Sequence, residues 1–341
     1  MPRGQLRPVR WAGDGLAIVA GLAAVACGAV PNPVQAGSAA GPKATVTAKT
    51  ERASGPPAPL TGLAAGSAAD AARPAVAVVV GPGPRGLGSA DVVFQEFSAP
   101  VRYIAVFQSR QPSGVRPVTS TQPTDSEVLS VMHPLIAYNG GTPTFVKILD
   151  RSKVTDVGFG NHPSAYTGHG VAVSTRAVLR AARGNGPPPP IFVFGGGLSG
   201  AGPFAATGVS HPASVRVSVP GSGTQSWTFD PHTGRWVLSS GGPKVAVANL
   251  VVQTVLYRHI VNTKAGLNVL SARVIGGGQA LVFSGGAGGS SAAAAGTWSK
   301  PHLQDVTNYY DKNSNPMAFQ PGPTWVILAP RGTRVSASGG R

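Results

Sequence analysis

Apolar runs in this chain are short, and glycine or proline closes nearly all of them. The stretch Arg73-Pro74-Ala75-Val76-Ala77-Val78-Val79-Val80-Gly81-Pro82 sets the pattern. Proline removes a backbone donor and glycine enlarges the conformational freedom lost on folding, so such punctuation favours short strands and turns over long helices. The 47 Gly and 32 Pro in 341 residues are about twice average usage. Only three Glu and eight Lys are available to dress exposed helical faces. The expected class is α+β, an α/β N-terminal domain followed by a mostly β C-terminal domain.

Along the chain, Pro74–Val80, Asp91–Phe94 and Arg102–Phe107 read as strands. Thr124-Asp125 is positioned to cap a helix over Ser126–Met132, and Ser174 or Thr175 to open one running to Arg183. Gly184-Asn185-Gly186 and the prolines 187–190 mark a hinge, bounding an N-terminal domain at 59–186 and a C-terminal one at 191–330. In the second, Ser214–Val219, Ser226–Phe229, Arg235–Leu238, Asn249–Tyr257, Val269–Ile275, Ala280–Phe283 and Thr324–Leu328 read as strands, with Asp230–Gly234 a hairpin turn. Gly285–Ala295 reads as a low-complexity connector, and residues 331–341 as a disordered tail.

Gly81-Pro82-Gly83-Pro84-Arg85-Gly86 spells the G-x-G-x-x-G of a dinucleotide-binding turn. That turn needs a helix whose first amides face the pyrophosphate. Only Leu87-Gly88-Ser89-Ala90 separate Gly86 from the next strand, and Pro82 and Pro84 delete two of the donors. No nucleotide is expected here, and the segment reads as a strand-to-strand loop.

Residues 1–26 read as an export signal, with three Arg ahead of an apolar stretch from Gly15 to Ala26. As a helix that stretch spans roughly 18 Å against a hydrocarbon core of ~30 Å. Cys27, the only cysteine, follows Ala24-Val25-Ala26 and precedes Gly28, resembling the lipobox of bacterial lipoproteins, whose cysteine is acylated. A competing cut after Val34-Gln35-Ala36 would release the chain without lipid. Residues 27–58 lack bulky apolar groups and read as a flexible tether. The expected location is extracytoplasmic, on the cell membrane through lipid, or secreted after the second cut.

The formal net charge is +16, and removing residues 1–26 leaves +14. The basic residues are scattered, without the aromatic or zinc-finger spacing of nucleic-acid modules, so no nucleic acid is expected. For an exported chain the anions at hand are lipid headgroups and cell-wall polymers. The seven His show no H-E-x-x-H or i, i+4 pairing, no G-x-S-x-G elbow occurs, and neither metal nor cofactor is expected. Asp91, Glu96, Asp125 and Glu127 could converge as a carboxylate pair, or could serve as ion-pair and helix-start acids. Arg102 and Arg116 flank apolar residues and offer planar forks for carboxylate or phosphate, with Asn139-Gly140-Gly141 able to add amide donors. The tryptophans 227, 236, 298 and 325 read as core.

Pro59-Leu60-Thr61-Gly62, RPAVAVVV (73–80), SADVVFQEF (89–97), RYIAVFQS (102–109), GVRPVTS (114–120), NLVVQTV (249–255), GGGQALVF (276–283), GTWSK (296–300) and PGPTWVILAP (321–330) resemble, in order and spacing, the DUF3048 or YerB-like family of bacterial lipoproteins. The resemblance implies a two-domain extracytoplasmic lipoprotein and supplies no reaction. Arg102 and Arg116 stand at matching motif positions. Gly81–Pro84 replaces an Asp-Asn and Ala-Arg-Pro-Gln-like run of relatives, and their acidic stretch is shortened to Phe97–Val101. The functional expectation is a cell-envelope binding or assembly factor for an anionic ligand or protein partner, using Arg102, Arg116, Asp91, Glu96 and Asn139. The alternative is a cell-wall hydrolase or transferase using the first-domain carboxylates.

Overall fold

In the computed structural model the structure describes residues 55–195, 198, 211–262, 267–285 and 289–339. Cys27, the signal and nearly all of the tether lie outside them. Residues 51–341 form one compact unit, mostly β.

The first half contributes α1 (Ala68–Ala71), β1 (Val76–Arg85), β2 (Val92–Glu96), β3 (Arg102–Phe107), β4 (Arg116–Val118), α2 (Pro123–Leu129), β5 (Leu135–Ala137), α3 (Pro143–Asp150), β6 (Thr155–Asp156), β7 (Tyr166–Thr167), β8 (Ala172–Val173) and α4 (Thr175–Ala181). The second half contributes β9 (Pro212–Val219), β10 (Gly223–Asp230), β11 (Arg235–Ser240), β12 (Ala246–Val247), β13 (Asn249–Asn262), β14 (Leu267–Arg273), β15 (Gly276–Gly285), β16 (Ser291–Lys300), β17 (Asn308–Asp311), β18 (Thr324–Pro330) and β19 (Arg334–Gly339).

Twelve strands form one mixed sheet in the order β17-β16-β15-β13-β18-β2-β3-β1-β5-β6, with β14 added to β13 and β4 to β1. The halves meet at β18, which runs parallel to β13 on one side and to β2 on the other, placing Trp325 opposite Val93. All its residues but Pro330 are buried, as its unbroken apolar run requires. The hinge expected at 187–190 therefore does not divide the chain into separate sheets. A second sheet, β12-β11-β10-β9-β19, covers one face of the first; Trp227, Trp236, Phe283 and Trp325 fill the space between. On the opposite face α2, α3, Ile191 and Leu198 close a second apolar cluster around Leu129, Leu149, Phe192 and Phe319.

Four expectations are corrected. The glycine–proline run 81–85 continues β1 as a strand instead of forming a loop. Ser291–Ala295, inside the expected connector, belongs to β16, paired residue by residue with β15. The expected tail carries β19, whose Val335 and Ala337 pack inward while Arg334, Ser336 and Ser338 face out. The helix expected at 126–132 starts earlier, at Pro123, because Gln122 caps it: the Gln122 amide donates to Asp125 Oδ2 at 2.9 Å.

A buried arginine and an exposed arginine pair

Arg102 begins β3 directly opposite Glu96 at the end of β2, and α2 brings Asp125 over the same spot. The guanidinium donates to Glu96 Oε2 at 2.7 Å and to Asp125 Oδ1 at 2.5 Å. Arg102 is 2% exposed and both acids are fully buried, so none of the three offers a surface to a ligand. This corrects the expectation for Arg102 and Glu96: proximity to a packed core was legible, but the core encloses the fork. Glu96 Oε1 also accepts from the Ala272 amide at 2.9 Å and from Thr124 Oγ1 at 2.5 Å, and Thr124 Oγ1 reaches Ser271 Oγ at 2.8 Å. The cluster thus fastens β14 of the second half to α2 and β2 of the first. Burial raises the Glu96 carboxyl above its ordinary range, against the pull of Arg102, because one cation is shared between two carboxylates.

The other first-half acids are similarly occupied. Asp91 accepts from the amides of Gln108 (2.5 Å) and Ser109 (2.8 Å) and from the Ser109 hydroxyl, and burial raises its pKa. Glu127 accepts from the Val274 amide at 2.9 Å and lies 3.4 Å from Arg258. Asn139 follows β5, half-buried, and donates to the Gly170 carbonyl at 3.3 Å.

Arg116 is different. It is exposed on β4 and pairs, beyond an irregularity in the β1–β4 register, with Arg85, exposed at the end of β1. Directly opposed residues of an antiparallel pair project to the same side, where like charges repel. Among the described residues no carboxylate lies within ion-pair distance of either. The sequence reading missed Arg85 because it placed Gly81–Gly86 in a loop; regular pairing onward from Val80–Val118 would set Pro82 opposite Arg116, and only the irregularity between Val80 and Arg85 brings Arg85 there.

Two cavities complete the picture. A cavity of about 20 Å³, room for roughly one water, lies beside Glu127, Gln253, Lys300 and Tyr309. Lys300 is buried there and donates to the Asp305 carbonyl, with its ammonium pushed down to about 8 by burial, against Asp305 and Glu127. A groove of about 670 Å³ opens at the edge of the inter-sheet space, where Leu281, Ala295 and Val335 stand in place of the aromatics that fill its centre. Its Asp311 carboxylate is engaged by the Asn313 and Asn315 amides at 2.8 Å each.

The lowered Lys300 pKa has a thermodynamic consequence. The unfolded lysine holds its proton up to about 10.5 and the folded one only to about 8. Between those values the unfolded chain binds more protons, so stability rises with pH across that window; below it the buried charge opposes folding. Lys300→Met is expected to raise the melting temperature near neutral pH by about 2–4 °C and to flatten the rise between pH 8 and 10.5. Thermal melts across pH check this, and a drop in melting temperature would refute it.

Residues 60–183 match the N-terminal domain of DUF3048, a protein family of unknown function, and residues 215–326 match its C-terminal domain. The chain belongs to the DUF3048 family. Its fold is similar to the crystal structure of YerB from Bacillus subtilis, with a TM-score of 0.63 at 20% identity over 82% of this chain and 99% of that one. None of the functionally curated proteins matches this chain. For this DUF3048 protein the family thus sets architecture, and chemistry has to be argued from its residues.

Proposed function

We propose that this DUF3048 protein is an extracytoplasmic lipoprotein, its first half an α/β unit, that binds an anionic polymer of the cell envelope without catalysing a reaction on it. The observation that carries this is the Arg85–Arg116 pair: two exposed arginines paired across β1 and β4, with no carboxylate among the described residues within ion-pair distance of either. Repulsion between them is relieved when a phosphate or carboxylate group bridges both forks. A surplus of 28 basic over 12 acidic residues draws such polymers from a distance. The hydrolase alternative finds no support in the carboxylates, because Asp91, Glu96 and Asp125 are buried on internal partners and Glu127 is engaged by β14 and Arg258. Cys27, at the end of the export signal, supplies the expected lipid attachment.

The test uses the full chain carrying Cys27→Ala, expected to become extractable from the membrane pellet by salt without detergent. That protein should sediment with lipid-free wall sacculi. Adding Arg85→Ala and Arg116→Ala should weaken the association roughly tenfold, about 1.4 kcal/mol over two exposed contacts. Added salt should bring the parent chain toward the double variant. Equal sedimentation of both chains at low salt would remove the arginine pair from the proposal.

A further inference from the structure

Beyond Val255, β13 leaves the main sheet. Leu256–Asn262 pair only with β14, making a two-stranded arm whose paired length is about 20 Å. The base of the arm is fixed. The Tyr257 hydroxyl donates to the Leu328 carbonyl at 2.7 Å and accepts from the Phe97 amide at 2.8 Å, and the Glu96–Thr124 cluster holds Ser271 and Ala272. The outer segment is not packed on the body: Leu256, Ile260, Val261, Val269 and Leu270 belong to neither apolar cluster. Val261 is 61% exposed and Leu256 48% exposed.

Register places these apolar side chains on both faces. Ile260 lies opposite Val269 on one face, while Val261 projects with His259 and its partner Leu270 on the other. A globular partner docking on one face would leave the other wet, whereas a surrounding apolar medium serves both. Nearer the base, exposed Arg258 and Arg273 share the face of Leu256; Arg258 also lies 3.4 Å from Glu127 of α2, while residues 256–273 themselves include no Asp or Glu. Apolar side chains outward and guanidinium groups about 10 Å behind them match the layering of acyl chains and phosphates at a bilayer surface. The arm cannot go deeper, because among the described residues the outer edge of β14 is unpaired and needs water or headgroups for its amides and carbonyls.

We propose that the outer segment of the β13–β14 arm embeds in the headgroup region of an anionic bilayer, with Arg273 on a lipid phosphate. This surface is separate from the Arg85–Arg116 pair, and its test uses lipid without wall material.

The experiment uses the full chain with Cys27→Ala and Val261→Cys, labelled at position 261 with an environment-sensitive nitrobenzoxadiazole dye. A parallel chain carries the label at Ser336→Cys on β19. Vesicles of equal parts phosphatidylcholine and phosphatidylglycerol should raise and blue-shift emission from position 261 several-fold and leave position 336 unchanged. Arg273→Ala should raise the apparent dissociation constant roughly fivefold, the contribution of one exposed cation near an anionic surface. Position 261 lies on an exposed side chain, so the labelled chain should keep the parent melting temperature. Unchanged emission at 261, equal emission changes at both positions, or an equal response to pure phosphatidylcholine would each overturn the proposal. A response only to lipid-free envelope protein would also overturn it, in favour of a protein partner.

Discussion

Arg102→Met is expected to destabilise the fold by about 3–5 kcal/mol, because it leaves Glu96 and Asp125 buried without their shared cation. That is a large share of the roughly 5–15 kcal/mol holding a typical domain together. The loss should depend on pH in a defined direction. In the parent chain the raised Glu96 carboxyl keeps its proton at pH values where the unfolded chain has released it. The stabilisation from that proton is present at low pH and fades as pH rises through the folded-state value. Without Arg102 the largest influence opposing burial is gone, Glu96 holds its proton to higher pH still, and the variant's deficit narrows on acidification. Urea titrations at pH 5 and pH 8 measure this. A variant as stable as the parent at pH 8 would mean that the cluster is open to solvent, and would reinstate Arg102 as a ligand group.

The fate of Arg102 shows where sequence reasoning reached and where it stopped. Strand β3 was legible to the residue, since Tyr103, Ile104, Val106 and Phe107 are all β-branched or aromatic. So was most of β18, from Thr324 to Leu328. Strand β16 was not, because Ser291 and the following alanines have little strand preference of their own; their state is imposed by ten paired positions along β15. Strand β19 was hidden likewise, its Arg334–Gly339 run polar and small as in a tail, yet held by register with β9. For the sites, the residue type at 102 was legible but its partners were not. Asp125 is 23 residues away and arrives through α2, whose start depends on Gln122 and not on the Thr124-Asp125 pair. The burial of Lys300 was equally out of reach, because it depends on the Asp305 carbonyl and on first-half side chains across the cavity. Arg116 was visible, but its significance needed Arg85, which only the extension of β1 through two prolines supplies.

Trp325→Ala is expected to lower stability by about 3–5 kcal/mol and the melting temperature by about 10 °C. The indole is fully buried on β18 and meets Tyr103 of β3 and Trp227 of β10 edge-on, each with centroids 5.7 Å apart. Its Nε1 donates to Gln95 Oε1 of β2 at 3.0 Å, so truncation also strands a buried acceptor. The residue belongs to the second half of the chain, yet two of these three contacts lie in the first. If the two family-matched segments fold as separate domains, calorimetry should resolve two transitions, with only the later segment's shifted by the substitution. One sheet shared through β13, β18 and β2 requires the opposite: a single transition in parent and variant, displaced as a whole. The same geometry constrains dissection of the protein, since residues 55–186 alone would expose the β18-facing edge of β2, whose Val92, Val93 and Gln95 are buried in the intact chain.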